Sequence, residues 1–542
     1  MKINLFLIIG LFIFLHACRI DSDHIGRTVF RYNEPANITT LDPAFARDQS
    51  TIWATNQIFN GLVQLSDSLK VLPCLAKSWK ISSDGLLYTF FLRTDVSFHD
   101  NLCFKGGKGR KVKSSDIVYS YNRILNKKTA SPGAWIFSNT DRSIQGDAFV
   151  AINDSVFTIR LKKAFPPFLG LLTMQYCSVI PEEAIALYGA DFRCHPVGTG
   201  PFYFKLWEEG IKLVLLKNKK YFEYEGRTQL PYLDAVSITF VADKQSAFLE
   251  FIKGRLDFMS GIDPTYKDEL LTKQGKLKVK YLSQIHLISQ SYLNTEYLGF
   301  MMDTLSPVMK NNPLKNRKIR QAINFAFDRS KMIRYLRNSV GSPGINGIVP
   351  NGLPSFDAGK IFYDFNPQKA LRLLDEAGFP HGKGLPPITL TSTSDYLDIC
   401  KYIQAQVGNL GIELIIEVSQ PAAVKEMKAQ AKLPFFRASW IADYPDTENY
   451  LSMFYSKNFC PRGPNYTHFS NSKFDELYEK ALSATDDTLR VFYYRQMENV
   501  LMEESPVIIL YYDQVLRFVR NNIQDIGSNP MNLLVLKRVR KL

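Results

Sequence analysis

Leu72 to His99 reads LPCLAKSWKISSDGLLYTFFLRTDVSFH, and its parts can be interpreted one at a time. Ser83-Asp84-Gly85 is a turn, because Asp hydrogen-bonds its own backbone and Gly accepts tight conformations. Leu87 to Arg93 follows as a strand, since aromatic and β-branched residues suit a pleated, half-buried surface. Trp79, Tyr88, Phe90 and Leu92 are the core candidates of the block.

Moving outward, Ile117, Val118, Tyr121, Ile124 and Leu125 recur at helical spacing after Ser115, which predicts an amphipathic helix with a serine N-cap. The same spacing returns in Ile319, Ala322, Ile323, Ala326 and Phe327, with Asp328-Arg329 expected to close that helix as a surface ion pair. Asn366-Pro367 predicts a capped helix start with proline in the first turn, and Gly378 predicts its stop. Gly198 to Pro201 is expected to be a turn between lobes, its glycines serving backbone geometry. Strands and helices thus alternate in an α/β chain of several lobes.

Composition sets the bounds. The chain has 542 residues, long enough for two to four domains. Its 46% hydrophobic and 22% charged residues exclude disorder as the main state. A mean hydropathy of -0.12 excludes a polytopic membrane protein. The formal net charge of +14 raises nucleic acid or a membrane surface as partners, but the basic residues are dispersed and no nucleic-acid motif accompanies them. The charge therefore reads as a solvated surface.

Met1-Lys2 precedes the apolar run LFLIIGLFIFL at 5–15, too short for a permanent membrane helix but suited to a secretory leader. Leu15-His16-Ala17-Cys18 resembles the lipobox of bacterial lipoproteins, which implies a signal peptide over 1–17, lipidation of Cys18 and a tether over 18–26. Six cysteines follow, at 74, 103, 177, 194, 400 and 460. An exported location permits disulfides, and buried free thiols are the equal alternative.

Enzyme chemistry finds little support. No H-x-x-x-H, H-E-x-x-H or G-x-S-x-G pattern occurs, and the glycines of Gly106-Gly107-Lys108-Gly109-Arg110 lack Walker spacing and read as a flexible basic loop. Asp443 and Asp446, three apart around Pro445, could lie close, and sequence spacing does not establish the separation a glycosidase needs. No catalytic residue, metal ligand or cofactor is assigned.

Taken together, several blocks resemble the extracytoplasmic solute-binding proteins of ABC transporters, family 5, the oligopeptide- and dipeptide-binding class. They are Asn33-Glu34-Pro35 with Thr40-Leu41-Asp42-Pro43, the 72–99 block, Ser115 to Ser120, Pro196 to Phe202, Arg320 to Ile323, Lys369 to Gly378, Trp440-Ile441-Ala442-Asp443-Tyr444-Pro445-Asp446 and Phe474 to Leu477. The resemblance implies a two-lobed periplasmic-binding-protein fold of type II, in the large class with an extra inserted domain. Lobe I would comprise 25–63, 182–285 and 505–542, the inserted domain 64–181, and the opposing lobe 286–504, with chain crossings as hinges. It further implies capture of oligopeptides without chemistry and delivery to a membrane permease, by a monomer held to the membrane through Cys18. By the same resemblance Asp443 pairs with the ligand's α-ammonium group, Trp440 and Tyr444 wall the pocket, and Glu34 lies on the first lobe's ligand-facing edge. A loop cap or structural ion pair is the alternative role for Asp443. Rival functions are the same capture of an oligosaccharide or metal chelate, or a surface hydrolase.

Overall fold

The structure, a computed structural model, describes residues 28–143, 148–263, 265–484 and 486–542. The expected leader, Cys18 and the whole tether lie outside them.

The 72–99 block folds as its sequence predicts. Strand Ala76–Ile81 pairs antiparallel with Leu87–Leu92, which pairs in turn with Val156–Arg160, and Phe149–Asn153 completes a four-stranded sheet. Tyr88, Phe90 and Leu92 alternate inward and are buried, while Trp79 packs half-buried at the margin of the same core. Burying each such side chain contributes ~1.5–3 kcal/mol. Helix Ser114–Leu125 lays Ile117, Tyr121 and Ile124 into this core. It begins ahead of the expected serine cap. Lys113 occupies the cap position, and the Asp116 carboxylate reaches back to accept its N–H at 2.8 Å. Nor is the preceding basic segment simply loose, because Arg110 is tied to both Asp116 and Glu183.

A second sheet of eleven strands among the described residues runs through the whole molecule. In one half, Val29–Asn33 lies parallel to Ala235–Thr239 and to Phe258–Ser260. In the other, Ile388–Ser392 lies parallel to Leu414–Val418 and to Phe435–Ile441. Two long antiparallel strands, Ile285–Phe300 and Val507–Arg520, join the halves. Their register shifts twice in mid-course, the larger break coming first: Ser291 faces Gln514, but Thr295 faces Tyr512; then Glu296 faces Tyr511 and Tyr297 faces Ile509. Extra residues on one strand make a bulge, which bends it and increases its twist. The apolar core also changes over there. Ile285, Leu516 and Phe518 pack with Phe248 and Phe251, whereas Leu293 and Tyr512 belong to the core of the other half.

Local signals around residue 320 are only partly right. Helix Arg317–Phe325 buries Ile319, Ala322 and Ile323, but Asp328 does not end it in a surface ion pair. Asp328 instead caps the next helix, Arg329–Leu336, accepting from the Lys331 N–H at 2.9 Å. Arg329 is buried and donates to the Ile509 carbonyl at 2.6 Å and to Asn324. Helix Pro367–Glu376 starts on Asn366 as expected, and Gly378 follows its end at φ +88°.

Gly198 and Gly200 serve close approach rather than a turn's dihedral freedom. A Cβ on Gly198 would stand 2.2 Å from the Ile58 carbonyl oxygen, and one on Gly200 2.4 Å from the Ile58 carbonyl carbon. Overpacking of this kind typically costs ~1–3 kcal/mol or more. Gly200→Ala is therefore expected to lower the urea midpoint clearly. Gly408→Ala is the control, since it lies in a helix with nothing within 4 Å of its Cβ, and it should match or exceed the parent.

All six described cysteines are free, so the open question between disulfides and thiols falls to thiols. Among the described residues no three metal-ligating side chains gather, and no helix is long and apolar enough to cross a membrane.

Candidate ligand-binding site

Parallel strands present their backbone ends and following loops in one direction, which makes the carboxyl ends of a sheet a natural place for a ligand crevice. In this protein three such ends converge. Glu34 and Pro35 follow Asn33, Gly261 to Asp263 follow Ser260, and Ala442 and Asp443 follow Ile441. The first two belong to one half of the large sheet and the third to the other, so the crevice lies beside the bulge of the two long strands.

Two adjoining cavities fill it, of about 420 Å³ and 280 Å³. Gln49, Trp53, Tyr292 and Asn532 wall both. Trp53 comes from helix Gln49–Ile58, which Asp48 caps by accepting the Thr51 N–H at 3.0 Å. The indole is held by its Nε1 donating to the Asn532 carbonyl at 2.8 Å. Tyr292 comes from the bulge itself.

Asp443 lines the smaller cavity with Arg47 and Tyr176. Its side chain is open to the crevice, yet surrounding protein displaces most of the bulk water, and this desolvation pushes the carboxyl pKa up against a hydrogen bond from Asn449. Asn449 fixes the loop with one atom. Its Oδ1 accepts from the Asp443 backbone N–H at 3.1 Å and from Trp440 Nε1 at 2.9 Å. Among the described residues Asp443 has no ion-pair partner, whereas Asp446 is bound to Arg490 at 2.6 Å. The carboxylate pair considered for hydrolysis is thus divided between a structural ion pair and a free group.

Glu34 lines the larger cavity. Its backbone N–H donates to the Thr239 carbonyl at 2.9 Å, which sets the position of the residue after the first strand. Desolvation, reinforced by the Asp48 carboxylate, pushes the Glu34 carboxyl up to about 7. The other charges on this cavity are paired, Lys244 with Asp263 at 2.8 Å and Arg337 with Asp513 at 2.6 Å.

Of the four site residues expected from sequence, the structure brings Asp443 and Glu34 onto adjoining cavities and sets the other two behind them. Trp440 packs half-buried against the core of its own half. Tyr444 turns away from both cavities. It is buried in the core across the crevice, donates its hydroxyl to Glu448, and sets its ring 6.2 Å from that of the exposed Trp135. Trp53, Tyr292, Arg47 and Tyr176 line the crevice without having been singled out in the sequence. Asn449, a polar residue six positions after Asp443, was not singled out either.

Comparison with known proteins agrees with this geometry. The profile described as "Bacterial extracellular solute-binding proteins, family 5 Middle" matches residues 70–459. The glutathione-binding protein GsiB of Salmonella choleraesuis is 26% identical over 503 residues, 91% of each chain. The periplasmic binding protein DppA of Helicobacter pylori, solved with a peptide STSA, superposes with a TM-score of 0.75 at 24% identity, covering 95% of this chain and 98% of that one. HbpA2 of Haemophilus parasuis superposes at 0.79 and 22%, covering 95% and 100%. The two-lobed type II fold that the sequence resemblance implied is the fold these proteins share. The chain belongs to the bacterial extracellular solute-binding proteins of family 5, the solute-binding components of ABC importers, which are transport proteins and not enzymes.

Proposed function

We propose that this chain is the lipid-anchored receptor of its importer, that its solute is an oligopeptide with a free amino terminus, and that it acts as a monomer delivering this solute to a membrane permease. The observation that carries the reading is Asp443, an unpaired carboxylate at a strand's carboxyl end, facing a crevice walled by both halves of the molecule. A ligand engulfed there loses its water, so its charged end needs a fixed opposite charge. The Cys18 lipobox supports the anchor, and the names of relatives that bind glutathione or peptides support the solute class.

In this reading the lobes divide inside the two long strands, at 291–295 and 512–514, rather than at 285/286 and 504/505. The bulge there is the hinge. Closure shifts an open–closed population, and bound ligand favours the closed state. The 64–181 region touches the opposing lobe through Trp135 and Tyr444, beside the Asp443 loop.

The test is to purify the protein without added ligand, denature it, and identify what is released by mass spectrometry, then titrate tripeptides, glutathione, an oligosaccharide and a nickel chelate by calorimetry. Peptides should be released, and peptide binding should reach micromolar affinity, ~−8 kcal/mol. Release and binding of sugar or chelate alone would overturn the peptide assignment.

A further inference from the structure

Asp443 and Glu34 make no ion pair among the described residues, Arg47 being the one basic residue on the smaller cavity, and one ammonium group occupies only one of these carboxylates. Asp443 is on the smaller cavity and Glu34 on the larger, and the cavities share the walls Trp53 and Tyr292. We propose that the crevice selects peptides carrying a second positive charge, Glu34 receiving a lysine- or arginine-type side chain while Asp443 holds the amino terminus. The proposal rests on the peptide-binding reading above.

The charge inventory of the larger cavity supports it. Lys244 is neutralised by Asp263 and Arg337 by Asp513, so neither base is free for Glu34. After desolvation the largest influence on Glu34 is another carboxylate, Asp48, which is engaged in capping its helix, and a backbone hydrogen bond from Ala36 opposes it. The lining is therefore net negative, and a buried negative site is matched by a ligand cation. The route between the two carboxylates passes an indole and a phenol ring. Aromatic faces attract ammonium and guanidinium groups and also cover the aliphatic stem that carries them. An apolar side chain in the same place would cover Glu34 without giving it a counter-ion, which is costly in itself. Because the Glu34 carboxyl stands near 7, a bound cation also drives the group to full ionisation at neutral pH.

The experiment compares Ala-Lys-Ala and Ala-Arg-Ala with Ala-norleucine-Ala, and repeats the set with the lysine at the first and third positions, by calorimetry on the full chain. At pH 8 at least one lysine or arginine peptide should bind tenfold or more tightly than its norleucine counterpart. In Glu34→Gln, with folding verified by its thermal midpoint, that ratio should collapse towards one. A second readout needs no variant. Between pH 8 and 5.5 the ratio in the parent should fall towards that of Glu34→Gln, most steeply below the Glu34 pKa, because the lysine stays charged while Glu34 takes a proton. Asp443 protonation affects both peptides and cancels from the ratio; Asp263 and Asp48 are held below the usual carboxylate range by their hydrogen bonds, against desolvation. Equal binding of lysine and norleucine peptides by the parent would overturn this proposal and leave peptide capture standing, as would a preference that survives Glu34→Gln. Failure of every peptide to bind would overturn both.

Discussion

Asp443→Asn should weaken binding of free-amine peptides by ~2–5 kcal/mol, roughly thirtyfold to several thousandfold in Kd. The substitution keeps the shape of the side chain and leaves the Asn449 bond to the loop backbone in place. What is lost is the charge opposite the ligand's ammonium group, and the penalty is large because that ammonium stays enclosed without a partner. N-acetylated peptides should bind the parent poorly, and the variant should discriminate little between acetylated and free forms. Acidity provides the matching control. The Asp443 pKa is raised by desolvation, so the carboxylate that binds the amine is lost as pH falls, starting above the usual carboxylate range. Peptide affinity in the parent should therefore decline on acidification, and this contribution should be missing in the variant. Unchanged affinity in Asp443→Asn by calorimetry would remove the amine-anchor role.

Arg437→Ala should lower global stability by ~3–5 kcal/mol, read as a shift of the urea unfolding midpoint. Arg437 sits on strand Phe435–Ile441 with its guanidinium against Glu296 on the neighbouring long strand and over the ring of Tyr396. Glu296 is buried, and its remaining neighbours are the Asn294 amide at 3.3 Å and the Tyr396 hydroxyl at 3.4 Å. Without the arginine a buried charge loses its counter-ion. Burial already pushes the Glu296 pKa up, with Arg437 the main opposing influence. The variant's deficit is thus largest at high pH and shrinks as pH falls and Glu296 takes up a proton. Replacing both residues, as Glu296→Gln with Arg437→Met, should recover much of the loss, since an apolar or neutral pair avoids the uncompensated charge. A single variant as stable as the parent at pH 8 would contradict this account. Thr295, next to Glu296, is where pairing resumes past the bulge, so a stability loss here should be accompanied by altered ligand-driven closure.

The two cases differ in how visible they were in the sequence. Asp443 was identified through Trp440 and Tyr444 around it, although neither of those lines the cavities. Trp440 and Tyr444 are aromatic because the loop must be held on one side by the core of its own half and on the other by the core across the crevice. An aromatic neighbour in sequence marks a packed loop, and only some packed loops turn their rings to the ligand. Glu34 stood out by its place after the first strand, and that placement survives because a strand end is a local feature. Trp53, Tyr292, Arg47 and Tyr176 had no local mark. Their convergence comes from the crossing of distant segments.

Arg329 makes the same point about energetics. Next to Asp328 it looked like half of a surface ion pair, but its partner is the Ile509 carbonyl, 180 positions away. Gly198 and Gly200 likewise looked like a turn, and what requires them is the backbone of Gln57 and Ile58 pressing against them.

By itself, then, the sequence determined what depends on near neighbours: the strand at 87–92, the helix that follows, the Asn366 cap and, through the ordered blocks, the family and its two-lobed fold. The tertiary structure alone decided which carboxylates stand unpaired, where the long strands bulge and which rings face the crevice. Those properties follow from desolvation and close packing between residues hundreds of positions apart, and no local pattern of side chains encodes them.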